Sequence, residues 1–391
     1  MRVWLSVAFA FLVMTGAASA ERAIALYAFQ GESDGSGPYG GVAVDNRGDI
    51  FGTTYFGGSN TCPAGCGTLY ALTPQGDGAW DYSVIYDFTG GSDGKQPTTA
   101  LATDRAGNVY GEANPTGAGG EAFRVVSTGA GWGFETLYQF DAAKDGDLDT
   151  DTPLVPRGED VLGLTYNGGT GCGTSGCGTL FELKPSKSGK WKHKILFDFP
   201  DGDGGPFWLV PSPDGSTYYA ATFQNGGAIL SLTRGGGGWT ASELYRFTGG
   251  DSQPNNLTVG PDGTIFGLAM TSDGRRFVFA LSPPQTSGAA WTETVLHTFP
   301  IDDPPVSLTA LPDGTLAGAV FGDQDGDPGL AFGLAPPVGP GETWTYRTIY
   351  NFKSGRSPSQ NPLNVVRGKG GHLYGALNGG GIDFGAVFEL K

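Results

Sequence analysis

The chain has 391 residues, of which 69 are Gly and 26 are Pro, while charged residues make up only 16%. Glycine does not recur at every third residue as in collagen, and regular apolar and aromatic clusters argue against disorder. Frequent Gly and Pro disfavour a helical bundle, which leaves a turn-rich all-β protein. The formal net charge of −16 argues against nucleic acid and anionic membranes as partners.

Residues 1–20 are predicted to be a secretory signal peptide. Arg2 supplies the positive start, residues 3–14 form a mostly apolar core, and Ala18-Ser19-Ala20 is a small-x-small cleavage site. The apolar run is shorter than the roughly 20 residues that a membrane span needs. The mature chain is therefore expected to be secreted, either extracellular or periplasmic, without membrane insertion after signal removal.

One strand-like pattern, an aliphatic residue followed by an aromatic or His and ending in Phe, occurs seven times and organises the chain. Successive copies lie 48 to 59 positions apart. The seven anchor residues are Phe29, Phe88, Phe140, Phe199, Phe247, Phe299 and Phe352.

Each unit repeats the same order of features after its anchor. A Gly/Asp turn leads to a Pro that opens a short apolar strand, and a tight turn leads to a second strand. A Gly-rich loop then leads to a third strand, and a turn before a Trp leads into the next anchor strand. Four short antiparallel strands in about fifty residues have the length and strand count of a propeller blade.

The predicted fold class is therefore all-β, a seven-bladed β-propeller spanning residues 21–391. The predicted blades are residues 31–88, 89–140, 141–199, 200–247, 248–299, 300–352, and 353–391 plus 21–30. The N-terminal strand is expected to supply the fourth strand of the last blade and so close the ring. A pair of β-sandwiches, the competing architecture, would not give seven equal units.

A small residue follows the aromatic position of every second strand. These residues are Gly52, Gly111, Gly163, Gly267, Gly318 and Gly375, with Ala220 in the fourth unit. A Gly inside a strand indicates that another group approaches closely. We expect an aromatic side chain of an adjacent blade to need that space.

The repeated motifs resemble the GloVer tandem repeat family. They are Leu-Tyr-x-Phe, a Gly/Asp turn, aromatic-Gly-x-Thr, and Cys-Gly-Thr-Leu-aromatic-x-Leu, and residues 26–74 and 137–185 match them best. Units five and six are degraded, but the resemblance covers essentially the whole mature chain. It implies an exported repeat protein and supplies no catalytic residues.

Four cysteines lie in the same loop of the first and third units. In an exported protein, Cys62–Cys66 and Cys172–Cys177 are predicted to be local disulfides. A zinc site is the alternative. It would require all four thiolates to converge although two blades separate the two units, and no His lies nearby.

Aspartates concentrate in loops that a propeller places on one face, and this acidic loop face is the main functional lead. Asp145, Asp147 and Asp149, and likewise Asp323, Asp325 and Asp327, have the one-three-five carboxylate spacing that can surround Ca²⁺. Neither stretch has the Gly and Glu of an EF-hand, and a solvated Asp/Gly turn explains both without metal. No cofactor is required, and calcium is the one optional ligand predicted.

Other candidate residues are aromatics and histidines. Tyr55, Phe56 and Phe223 are either sugar-stacking platforms on the loop face or strand-end packing residues. His193 is expected to be exposed on an outermost strand, and none of the three His residues lies in a candidate site loop.

Three functions remain compatible with the sequence. The first is an exported, non-catalytic binding module that uses the acidic loop face, with an extracellular glycan or protein as partner. The second is a glycoside hydrolase or polysaccharide lyase with carboxylates on that face, and the third is a purely structural secreted or envelope protein. An enzyme predicts convergent carboxylates in a deep pocket near the axis, whereas a binder predicts a shallow patch with exposed aromatics.

Overall fold

The computed structural model describes residues 22–58, 61–76, 78–114, 119–128, 131–148, 152–248, 252–286, 288–322, 329–339, 341–352, 361–379 and 384–391. The predicted signal peptide therefore lies outside the described residues. Regular structure in these ranges consists of β-strands and two short 3-10 turns, Gln224–Gly226 and Lys369–Gly371. None of their helices is long and apolar enough to cross a membrane.

The strands form seven antiparallel sheets that follow one another along the chain. The first three blades are β2 (Val42–Val44), β3 (Ile50–Thr54), β4 (Thr68–Pro74) and β5 (Trp80–Asp87); β6 (Ala102–Thr103), β7 (Val109–Ala113), β8 (Glu121–Ser127) and β9 (Trp132–Gln139); and β10 (Val155–Arg157), β11 (Asp160–Thr165), β12 (Thr179–Pro185) and β13 (Trp191–Asp198). The fourth and fifth blades are β14 (Pro206–Pro211), β15 (Thr217–Thr222), β16 (Ala228–Gly235) and β17 (Gly238–Arg246); and β18 (Ser252–Val259), β19 (Ile265–Met270), β20 (Arg276–Ser282) and β21 (Thr292–Thr298). The sixth blade is β22 (Pro305–Ala310), β23 (Leu316–Val320), β24 (Leu330–Ala335) and β25 (Thr345–Asn351).

The seventh blade combines both ends of the described chain. Its strands are β26 (Asn361–Pro362) and β27 (Val366–Arg367), which both pair with β28 (Leu373–Asn378), then β29 (Ala386–Leu390), and finally the N-terminal β1 (Ala23–Ala28). Strand β1 runs antiparallel to β29, so the predicted closure by the N-terminal strand is confirmed. The all-β, seven-bladed propeller is likewise confirmed.

Side chains reinforce this closure on the inner side of the ring. The Asn364 side chain donates to the Val42 carbonyl (2.8 Å) and accepts from the Val42 amide (3.1 Å). Farther out, Trp80 of the first blade packs edge-on against Tyr374 of the seventh, with ring centroids 5.8 Å apart. The two ends of the chain are therefore joined by backbone, polar and aromatic contacts.

The hydrophobic core lies between blades. Among the described residues, the buried apolar side chains form seven clusters, each shared by two neighbouring blades. The seven anchor Phe residues are all buried at these interfaces, none more than 3% exposed. Burial of an apolar phenyl group stabilises the folded state, so each interface between blades is stabilised by its own anchor Phe.

The small residue of each second strand makes room for an aromatic of the same blade, which corrects the prediction that an adjacent blade supplies it. Gly163 lies opposite Phe181 across β11 and β12, and a Cβ at Gly163 would lie 2.2 Å from the Phe181 ring. The other five glycines also lie opposite an aromatic, as Gly52 lies opposite Tyr70. The anchor Phe of the preceding blade then packs on that aromatic, as Phe140 packs on Phe181 at 4.9 Å.

Candidate functional site

One side of the ring, here called the loop face, collects the loops between blades and the loops between second and third strands. In the first blade these are residues 29–41 and 55–67, and they are hydrogen-bonded to each other. The Ser36 and Phe56 backbones form a bridge, and the Tyr55 amide donates to the Gly37 carbonyl at 2.9 Å. The loop face is therefore a structured surface.

Aspartates in the loops that lead into the first three blades bind tyrosines of the outermost strands that precede them. The hydroxyls of Tyr27, Tyr86 and Tyr138 donate to Asp34, Asp93 and Asp145 at 2.8, 2.9 and 3.0 Å, and the two partners are seven residues apart in each case. The same carboxylates accept a backbone amide just after the anchor Phe, at 2.8, 2.8 and 3.3 Å. These carboxylates therefore hold the turns between blades.

The pKa values of these pairs follow from their surroundings. Burial raises the pKa of Tyr138 to about 12, and the hydrogen bond to Asp145 adds to the effect. Burial also raises the pKa of Asp93, but hydrogen bonds from Thr89 and Tyr86 outweigh it, so that the Asp93 pKa lies below its usual value. Asp93 is therefore ionised at neutral pH, and its negative charge is compensated by donors of the turn.

The predicted calcium residues are only partly within the described chain. Asp145 is buried and also faces the Lys144 ammonium at 3.5 Å and the His193 ring at 3.7 Å. Asp147 accepts a hydrogen bond from the Asn167 side-chain amide at 3.1 Å. Asp149 lies outside the described residues, as do Asp323, Asp325 and Asp327. Calcium binding at either stretch stays a prediction.

The cysteines form the two predicted pairs, Cys62–Cys66 and Cys172–Cys177, with Cα atoms 5.1 and 5.0 Å apart. Each disulfide lies in a loop-face loop that contacts the next blade. The Cys66 carbonyl accepts from the Gln96 amide at 2.6 Å, and the Cys177 carbonyl accepts from the Gly205 amide at 2.9 Å. Because their sulfurs are used in disulfides, these cysteines do not form the alternative zinc site.

One buried carboxyl on this side was not singled out in the sequence. Glu121 begins β8 and is 5% exposed, and one of its oxygens has no hydrogen-bond partner. Burial raises the pKa of Glu121 to about 7, a hydrogen bond from Gln139 opposes the rise, and the charge of Asp93 adds to it. The equivalent third-strand residues Thr68 and Thr179 are neutral, so a sequence comparison between units could have found Glu121.

A channel of about 500 Å³ runs along the axis of the ring and is bordered by all seven blades. Lining residues from successive blades are Val42, Ala100, Pro153, Trp208, Asn256, Val306 and Leu363. Among the described lining residues there is no carboxylate, and Arg367 is the one charged residue. Several polar groups of the wall are already satisfied within the protein, as the Trp208 indole N–H is by the Leu257 carbonyl at 3.0 Å.

The candidate aromatics belong to two clusters on the loop face. Tyr55 and Phe56 pack edge-on at 4.7 Å, and Tyr39 packs on Tyr55 at 5.4 Å; these three residues are the first aromatic cluster. Tyr39 is 41% exposed and lines the channel.

Phe223 belongs to the second aromatic cluster with Phe207 and Tyr166, at centroid distances of 4.6 and 6.4 Å. All three are half-buried, and Trp208, the residue after Phe207, lines the channel. The predicted candidates Tyr55 and Phe56 are thus brought together, whereas Phe223 lies in a different blade with partners of its own.

The sequence does contain a signal for the aromatics that were missed. Each unit opens its first strand with Pro, and the next residue is aromatic in the first and fourth units alone, as Tyr39 and Phe207. In these two units Tyr39 and Trp208, the residue after Phe207, line the channel. Comparing this position between units would have found both residues.

His193 corrects the expectation of an exposed residue, because its side chain is only 8% exposed. Its ring stacks on Tyr138 of the preceding blade at 4.9 Å. Burial lowers the pKa of His193, an effect that the charge of Asp145 opposes. The same inter-blade stack pairs Tyr27 with Tyr82 and Tyr86 with Phe134, so this position is structural.

These features define the class of the molecule as a seven-bladed β-propeller with an axial channel that Tyr39 and Trp208 line. Residues 13–207 match the Gloeobacter/Verrucomicrobia repeat model, the repeat family that the sequence motifs resemble. No curated protein matches the chain in sequence.

Several solved structures share the architecture. A putative 6-phosphogluconolactonase from Bacteroides fragilis NCTC 9343 is 14% identical, with a TM-score of 0.52 over 81% of this chain and 85% of that one. The periplasmic gluconolactonase of Pseudomonas aeruginosa is 15% identical, with a TM-score of 0.51 over 78% and 84%. A chain of a mitotic checkpoint complex is 9% identical, with a TM-score of 0.56 over 98% of both. Such low identities establish the shared fold alone, because propellers with different roles are equally similar.

Proposed function

We propose that the protein is an exported, non-catalytic binding module that holds its ligand on the loop face, at the mouth of the axial channel. One observation carries the proposal: Tyr39 and Trp208 line the same channel from different blades. Tyr39 belongs to the first aromatic cluster, and Trp208 follows Phe207 of the second cluster in the sequence. A mostly apolar concavity with a few polar groups is the usual form of a ligand site.

Export is supported by the sequence pattern of residues 1–20 and by the two disulfides. Disulfides persist in the periplasm and outside the cell, where thiols are not kept reduced. The protein would then meet ligands of the cell envelope or the surroundings, either glycans or other proteins. Calcium bound by Asp145, Asp147 and Asp149 is proposed as an optional stabiliser of this face.

A carbohydrate-active enzyme is the second candidate, and the geometry favours it less. Glycoside hydrolysis generally needs two carboxyl groups about 5–10 Å apart on either side of the bond that is cleaved. The described residues that line the channel include no carboxylate. The carboxylates of Asp34, Asp93 and Asp145 accept hydrogen bonds from tyrosines. A purely structural role would leave the exposed aromatic surface of Tyr39 without a purpose.

The experiment is thermal unfolding of the mature protein, with disulfides intact, against neutral and acidic oligosaccharides, peptides and the dye 8-anilinonaphthalene-1-sulfonate. A ligand that binds the native state raises the midpoint by an amount that increases with the logarithm of its concentration once the site is mostly occupied. We expect Tyr39→Ala to reduce the shift and Val338→Ala to leave it unchanged. Val338 is a suitable control because it is 95% exposed in a loop on the opposite face. A panel in which no ligand shifts the midpoint, or in which Tyr39→Ala changes nothing, would contradict the proposal.

A further inference from the structure

We infer that the ligand is an extended neutral glycan that lies across the channel mouth and packs on both aromatic clusters. This inference rests on the proposed function and adds the chemical class of the ligand. It is carried by the placement of the clusters, by the unused tyrosine hydroxyls and by the charge of the protein.

The two clusters belong to blades on opposite sides of the ring. The first cluster belongs to the first blade, and Phe207 and Phe223 of the second cluster belong to the fourth. In a ring of seven blades, two blades separate the first blade from the fourth on one side, and three separate them on the other. Tyr39 and Trp208 reach the same channel from the two sides. A ligand in contact with both clusters must therefore span the channel mouth, which favours a chain over a single sugar.

The tyrosines of the clusters have hydroxyls that are free to bind a ligand. Among the described residues, none is hydrogen-bonded to the hydroxyl of Tyr39, Tyr55 or Tyr166, whereas those of Tyr27 and Tyr86 are bound to aspartates. A pyranose has a flat C–H face and a rim of hydroxyls. Tyrosine has an apolar ring and a polar end. Its ring can pack on the C–H face of the sugar, and its hydroxyl can bind the sugar hydroxyls.

The charge of the protein selects against acidic glycans. The chain carries 39 acidic residues against 23 basic ones. The channel lining adds one positive charge among the described residues, Arg367. A polyanionic chain would therefore be repelled on approach, whereas a neutral chain would not.

The test is isothermal titration of the mature protein with cellohexaose and chitohexaose as neutral probes, cellobiose as a short probe and hexagalacturonate as an acidic probe. We expect at least one neutral hexasaccharide to bind at least tenfold more tightly than cellobiose, because two linked contacts reinforce each other. Tyr39→Ala and Phe223→Ala should each weaken binding about five- to tenfold, Tyr39→Phe should weaken it less, and Val338→Ala should leave it unchanged. Circular dichroism spectra confirm that each variant is folded.

The inference is overturned if neither neutral hexasaccharide binds the folded protein, if hexagalacturonate binds as tightly as both, or if Tyr39→Ala and Phe223→Ala bind like the unchanged protein. Failure of the inference can be told apart from failure of the proposed function. If peptides or 8-anilinonaphthalene-1-sulfonate bind and Tyr39→Ala weakens them while glycans do not bind, the loop face is a binding site for another ligand class. If Tyr39→Ala affects no probe, both proposals fail.

Discussion

Ala220 lies opposite Leu230 across β15 and β16, at the position where each of the other six blades pairs a glycine with an aromatic residue. The small residue and its partner thus change together: where the partner is smaller than an aromatic, a methyl group fits. The relationship shows that each blade fills one fixed volume between its second and third strands. Protein interiors are close-packed, so neither residue can change size alone without a penalty.

Gly267→Ala should therefore destabilise the protein by about 1–3 kcal/mol, because the added methyl overpacks the blade. Its Cβ would lie 2.6 Å from the Phe279 ring and 2.7 Å from a Leu257 methyl. Adding Phe279→Leu should recover part of the loss, which reproduces the fourth-blade pair. Urea unfolding measures both effects, with Gly236→Ala as the control because its Cβ would meet nothing within 4 Å. If the effects of the two substitutions on the free energy of unfolding simply add, the packing relationship between these two positions is contradicted.

Tyr86→Phe should reduce the free energy of unfolding by about 1–2 kcal/mol at neutral pH, since the Asp93 carboxylate loses a charge-assisted hydrogen bond. Because the folded-state pKa of Asp93 is lowered, its contribution is present above the ordinary carboxyl pKa and is lost as the pH falls through the lowered value. Asp93→Asn should make the free energy of unfolding depend less on pH in this acidic range. Tyr55→Phe is the control, because its hydroxyl has no partner among the described residues. Equal losses in Tyr86→Phe and Tyr55→Phe would argue against the pair.

Glu121 should produce the opposite pH dependence. Its folded-state pKa is raised from 4.5 to about 7, so its favourable neutral form is fully present below the unfolded value and is lost as the pH rises through about 7. Glu121→Gln should be more stable than the unchanged protein at pH values above 8, by roughly 2–3 kcal/mol. Denaturant unfolding from acid to alkaline pH measures this. The exposed Glu32→Gln should show no such gain, and a Glu121→Gln curve parallel to the unchanged one would refute the assignment.

Removing a disulfide should loosen the loop face and leave the propeller folded. A loop of about five residues contributes roughly 2 kcal/mol in the chain-entropy model. The double variant Cys62→Ser with Cys66→Ser should lose about that amount and retain its far-ultraviolet circular dichroism, because the clusters between blades consist mostly of other residues. Thermal and urea unfolding of oxidised and reduced protein give the comparison. Complete unfolding on reduction would show that the disulfides hold the whole ring.

Calcium, if the loop of residues 145–149 binds it, should raise the unfolding midpoint by mass action. Asp145→Asn should destabilise the protein even in a chelator, because Asp145 also holds Tyr138. Asp147→Asn should mainly remove the calcium-dependent increase, since the described hydrogen bonds of the Asp147 carboxylate all come from Asn167 and hold no tyrosine. Unfolding in EDTA and in millimolar calcium separates the two effects. A midpoint of the unchanged protein that does not respond to calcium would refute the metal prediction.

The sequence by itself determined the seven units with their anchor Phe residues, the ring closure and both disulfides. These follow from local patterns that recur at a fixed period, because each blade must bury the same surface against its neighbour. It was wrong about His193, which resembles an exposed residue between Lys192 and Lys194 but takes the place that Tyr82 and Phe134 occupy in the two preceding blades. It was also wrong about the partner of the strand glycines. The sequence does not show which residue of the third strand lies opposite a given residue of the second strand.

Only the tertiary structure decided which aspartates are hydrogen-bonded to tyrosines and which aromatic residues line the same channel. Asp34, Asp93 and Asp145 look alike as loop acids, yet the turn after each anchor Phe places the carboxylate on the hydroxyl of a tyrosine seven residues earlier. Tyr39 and Trp208 are 169 positions apart in the sequence and line one channel because the ring closes. Contacts of this kind depend on the three-dimensional path of the whole chain, and a linear pattern contains no information about distances across the axis.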